Sequence, residues 1–67
     1  MSGLKAGNTE YLIEIVTVGA YAKATALDPV TGTEVSVMGP ANAADHALKA
    51  AAVAKLEYVL RKRAGEG

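Results

Sequence analysis

The chain has 67 residues, with seven basic and seven acidic side chains, one histidine, no cysteine, fourteen alanines and three tyrosines as its only aromatic residues. That length allows one small domain, and a domain of this size buries only about 60% of its unfolded-chain surface. Without cysteine, a disulfide framework and a zinc-finger-type site are both excluded, which leaves oligomerisation as the usual means of stabilising so short a chain.

In chain order, residues 1–9 are small and polar with two glycines and are expected to be a disordered lead-in. Glu10 to Val18 is rich in β-branched residues and predicts a first strand. Gly19-Ala20 fits a two-residue type II′ hairpin loop, with glycine first, leading into a second strand from Tyr21 to Leu27. That loop opposes Val18 to Tyr21. One face then pairs Ile15 with Ala24 and Ile13 with Ala26, and the other pairs Val16 with Lys23 and Leu12 with Leu27.

The next segment, Asp28-Pro29-Val30-Thr31-Gly32-Thr33, is a turn in which Asp28 bonds forward, Pro29 presets φ and Gly32 supplies a positive φ. Pairing Asp28 with Thr33 places Val35 and Val37 on the face that already holds Ile13 and Ile15. Two independent turn assignments therefore agree on a three-stranded antiparallel meander.

Gly39-Pro40 is expected to stop the third strand. Asn42 is the expected N-cap of a helix running from about Ala43 to Arg63, with Gly65 ending it. At 100° per residue Leu48, Ala52, Val53, Leu56, Val59 and Leu60 form one apolar stripe, which should lie on the Ile13/Ile15/Ala24/Ala26/Val35/Val37 face. The expected fold is α+β: a three-stranded antiparallel meander and one C-terminal helix packed on one sheet face (βββα). The domain spans residues 10–64, and residues 65–67 form a frayed tail.

This arrangement leaves two apolar surfaces. The outer sheet face carries Leu12, Val16, Val18, Tyr21, Leu27 and Met38, interleaved with Glu14, Lys23, Thr25, Glu34 and Ser36. The outer side of the helix carries Ala47, Ala50, Ala51, Ala54 and Tyr58. Contiguous apolar patches on a small chain mark association, so a homo-oligomer, most simply a dimer, is expected. An unidentified protein partner is the other candidate to cover them.

Residues able to carry chemistry are few. His46 follows Asp45 in the first helical turn, but neighbours on a helix point about 100° apart, and no second histidine could share a metal. Glu14 and Glu34 are separated by the strand that carries Lys23, which suits a cross-strand ion pair better than paired carboxylates. Val37 to Asn42 ends a strand and opens a helix, yet it lacks the glycines and lysine of a phosphate loop. No cofactor or metal is expected, and the chain reads as non-enzymatic.

Net charge is zero, so no global field draws the chain to nucleic acid or to an anionic membrane. Residues 39–67 nonetheless carry five positive and three negative groups. Lys23 with Arg61, Lys62 and Arg63 forms the alternative reading, a small nucleic-acid-binding module. Its free sheet face is poor in basic and aromatic residues, and the basic cluster suits the C-terminal helix dipole. No segment has signal-peptide or membrane-span character, so a cytoplasmic location is expected.

The stretches Tyr11 to Val18, Gly19-Ala20-Tyr21, Ala26 to Val35, Gly39-Pro40-Ala41 and Lys55 to Leu60 carry a family resemblance. Its most distinctive motifs are LDPVTGTEV, then GPA, then KLEYVL. Over about residues 10–63 the chain resembles a family of short uncharacterised alphaproteobacterial proteins assigned to a domain of unknown function. The resemblance implies a free-standing bacterial protein and brings no activity, cofactor or site residue.

Overall fold

A computed structural model describes residues 10–66. The lead-in expected over residues 1–9 and the terminal Gly67 lie outside the described residues. Strand β1 spans Leu12–Val18, β2 Tyr21–Asp28 and β3 Thr33–Pro40, and helix α1 spans Asp45–Glu66. The three strands form an antiparallel sheet in the order β1-β2-β3, and α1 packs on one face of it. The βββα architecture is the one expected.

Both registers match expectation. Val18 opposes Tyr21, Ile15 opposes Ala24 and Leu12 opposes Leu27. Ala24 opposes Val37, Ala26 opposes Val35 and Asp28 opposes Thr33. The turns explain why. Gly19 has φ +58° and Ala20 does not share that sign, which is the type II′ pattern. Gly32 has φ +77°, and its N–H donates to the Asp28 carbonyl at 2.7 Å.

Strand β1 begins at Leu12 rather than Glu10, and β2 runs one residue further, to Asp28. Three other ends also differ from the sequence reading. Gly39-Pro40 does not stop β3, which continues through both residues. Gly39 opposes Ala22, and Pro40 opposes Tyr21 at a position whose nitrogen faces away from β2, where a missing N–H costs nothing. Asn42 does not cap the helix. A turn in which the Ala43 N–H donates to the Pro40 carbonyl intervenes, and the first helical acceptor is the Ala44 carbonyl, which takes the Ala47 and Leu48 N–H groups at 3.1 and 3.2 Å. At the other end α1 runs past Gly65 to Glu66, so of the three basic residues only Arg63 lies in the last turn.

The core lies between α1 and the inner sheet face. Its buried residues are Ala22, Ala24 and Ala26 from the central strand and Leu48, Ala52 and Leu56 from the helix. Tyr11, Ile13, Ile15, Val35, Val37, Ala43 and Leu60 pack around them, each partly exposed. Four of the six buried residues are alanine, so the core is thin. The helix lies over β2 and β3 and only brushes β1. The molecule is a slab of 37 × 31 × 16 Å whose radius of gyration is 13.2 Å, against about 10–11 Å for a compact domain of this length.

Candidate interaction surface

The pleat sends even-numbered residues of β1 and β3 and odd-numbered residues of β2 to the face away from the helix. Leu12, Val16, Val18, Tyr21 and Met38 stand there, between 44% and 68% exposed. Leu27, expected among them, is half-buried. Thr25 and Ser36 join across the middle of this face through their hydroxyls at 3.1 Å. At one end of the sheet Ala20, Tyr21, Met38, Gly39 and Pro40 line an open hollow of about 460 Å³. The outer side of α1 is also exposed at Ala47, Ala51, Ala54 and Tyr58.

The basic residues of the alternative reading are not brought onto one surface. Lys23 lies on the outer sheet face, while Arg61, Lys62 and Arg63 belong to the helix on the opposite side. Arg63 is also engaged: its Nη1 donates to Thr33 Oγ1 at 3.0 Å.

That contact ends a polar chain which sequence reasoning missed. Asp28 and Thr33 are both buried on the inner face. Asp28 Oδ1 accepts the Val30 N–H at 3.0 Å, the forward bond expected of it, and Oδ2 lies 2.9 Å from Thr31 Oγ1. Thr31 Oγ1 is also 2.8 Å from Thr33 Oγ1 and accepts the Thr33 N–H at 3.2 Å. One hydroxyl proton cannot serve two acceptors, and the carboxylate can only accept. Thr31 therefore donates to Asp28, Thr33 donates to Thr31, and Arg63 donates to Thr33. The guanidinium is linked to the buried carboxylate through two hydroxyls, and the end of α1 is fastened to the β2–β3 turn. Its one sequence signal is the run of hydroxyl residues after Asp28.

A second helix-to-sheet bond lies at the edge of β3, where Lys55 Nζ donates to the Ser36 carbonyl at 3.0 Å. His46 is exposed at the start of α1, and Glu14 and Glu34 lie on the two outer strands with β2 between them. Among the described residues no group of three or more His, Cys, Asp or Glu comes close enough to hold a metal ion. Nor is any helix among them long and apolar enough to cross a membrane.

A family model described as a domain of unknown function, DUF6898, matches residues 8–63. The chain belongs to that family. The match covers all three strands and the helix as far as Arg63, so the outer face, the polar chain and the Lys55 contact all lie within the DUF6898 domain. No curated protein and no solved structure matches the chain.

Proposed function

We propose that this DUF6898 chain is a small non-enzymatic interaction module of the bacterial cytoplasm, whose copies associate through the outer sheet face. The observation that carries this reading is the exposure of Leu12, Val16, Val18, Tyr21 and Met38 on one face, opposite a core in which four of six buried residues are alanine. Among the described residues only one face of the sheet is covered, by the helix. Laying a second sheet on the other supplies the apolar volume the core lacks. The slab dimensions support it, since the thin axis of 16 Å is the one that stacking would thicken.

The non-enzymatic part of the proposal is supported by the placement of the few candidate groups. His46 is exposed at the start of α1, and Glu14 and Glu34 stand opposite Thr25 and Leu27 on strands separated by β2, not side by side. Nucleic-acid binding has weaker support, because Lys23 and the Arg61 to Arg63 end face opposite ways and Arg63 holds Thr33.

Solution mass by sedimentation across the micromolar range tests the reading. The expected result is an oligomer that Met38→Glu weakens, because Met38 is 64% exposed on that face and association would have to desolvate the new charge. A monomer at every concentration would overturn it.

A further inference from the structure

The two edges of the sheet are not alike. The Ala41 N–H donates to the Ala20 carbonyl at 2.8 Å, which fixes the phase of the β2–β3 ladder: Ala22, Ala24 and Ala26 spend their backbone groups on β3. Tyr21, Lys23, Thr25 and Leu27 then spend theirs on β1, where they meet Val18, Val16, Glu14 and Leu12. On the outer edge of β3 the backbone groups without a strand partner among the described residues belong to Glu34, Ser36, Met38 and Pro40. That edge is blunted, since Pro40 has no N–H and Lys55 Nζ occupies the Ser36 carbonyl. On the outer edge of β1 the N–H and C=O groups without a partner among the described residues belong to Ile13, Ile15 and Thr17. This strand, LIEIVTV, has no proline, lysine or glycine, and the helix leaves its inner side only half covered.

From this asymmetry we infer that β1 pairs antiparallel with β1 of a second copy, about a two-fold axis at Ile15, to make one continuous six-stranded sheet. The inference rests on the self-association proposed above and specifies the contact made first. In that register Ile15 exchanges both backbone bonds with Ile15 of the second copy, and Ile13 does so with Thr17 in both directions, giving about six inter-chain bonds. Leu12 then faces Val18 and Glu14 faces Val16. The two Glu14 carboxylates are kept out of register, whereas a two-fold axis at Glu14 would oppose them directly.

Charge complements the pairing. Val16 opposes Lys23 within each copy, so Glu14, Val16 of the second copy and its Lys23 fall in one row across the sheet. Glu14 and that Lys23 are two strand spacings apart, about 9.6 Å, within reach of two extended side chains over the small Val16. The symmetric pair forms on the other side of the axis.

Area favours the same order of events. Three strands about 4.8 Å apart and eight residues long present a footprint of about 400 Å², near half of the roughly 800 Å² per partner of a standard stable interface. Joining two β1 edges doubles the outer face to that size before anything stacks on it.

Amide hydrogen exchange on the full chain, at two protein concentrations about a hundredfold apart, reads the pairing directly. Edge pairing slows exchange at Ile13, Ile15 and Thr17 by about tenfold or more at the higher concentration, because only those β1 amides gain partners. Thr17→Pro should abolish that slowing and halve the mass, while leaving Leu12, Glu14 and Val16 protected by β2. Met38→Glu, on the far strand, should leave it intact. If the chain associates but those three amides exchange equally fast at both concentrations, edge pairing is wrong and the outer-face reading stands. If they are slowed and Met38→Glu changes no mass, edge pairing holds and the outer-face reading fails. A chain that never associates overturns both.

Discussion

Leu48 Cδ2 lies 2.9 Å from the point where a Cβ on Gly39 would stand. The helix thus comes down on β3 where that strand has no side chain, and Ala22, opposite Gly39, adds only a methyl group beside it. Gly39 is needed for space here rather than for its backbone freedom. Gly39→Ala should cost about 1–3 kcal/mol through overpacking. In a Leu48→Ala background the same change should cost much less, and a double-mutant cycle by urea denaturation measures the difference. Equal costs in the two backgrounds would show that Leu48 is not the obstacle.

The turn glycine Gly19 is the opposite case. Among the described residues nothing lies within 4 Å of a Cβ built on it, and its φ is +58°. Gly19→Ala should therefore cost about 1 kcal/mol from backbone strain alone. A D-alanine placed there by chemical synthesis, which favours that φ, should stabilise the chain relative to glycine. Thermal melts of the three peptides at one concentration separate strain from crowding.

Much of the fold could be read from the chain because such local rules agree. Gly19 and Gly32 each set a turn, each turn set a register, and alternation carried Ile13, Ala24 and Val37 to one face. What escaped depended on distance in sequence or on a turn without a signature. Arg63 meets Thr33 because α1 runs antiparallel to β3, from Leu48 beside Gly39 past Lys55 at Ser36, and is long enough to reach the far turn. Asn42 looked like a cap, but the Pro40–Ala43 turn consumed it and passed that role to the Ala44 carbonyl. Gly65 failed to stop the helix because glycine near a helix end costs only about 1 kcal/mol. The apolar residues of the outer face were legible from alternation. The blunting of one edge by Lys55 was not, since it needs the helix in place over β3.

The polar chain from Arg63 to Asp28 yields a graded prediction. Thr33→Val keeps shape but removes the hydroxyl that accepts from Arg63 and donates to Thr31, leaving Thr31 to hold Asp28 alone. It should cost about 1–2 kcal/mol. Arg63→Ala removes only an exposed donor, and should cost about 0.5–1 kcal/mol. Both variants should speed amide exchange in the last turns of α1 and leave its first turns unchanged. Uniform loss of protection along the helix would mean that the contact supports the whole packing rather than its end.

Val16 belongs both to the outer face and to the β1 strand, and its neighbour within the chain is Lys23. Val16→Asp therefore acts with opposite sign on the two levels of structure. Within one copy the new carboxylate faces Lys23, a cross-strand pair that contributes roughly 0.2–1 kcal/mol and offsets the lower strand propensity of aspartate. In the proposed assembly it would sit beside Glu14 of the edge-paired copy and within the outer face, where a charge must be desolvated. The variant should be monomeric at concentrations where the wild type associates. Its melting temperature should match the wild type in dilute solution and fall behind as concentration rises, because only the wild type gains from mass action. Melts at several concentrations beside sedimentation check this. A constant deficit at all concentrations would mean that Val16 supports the single fold rather than the assembly.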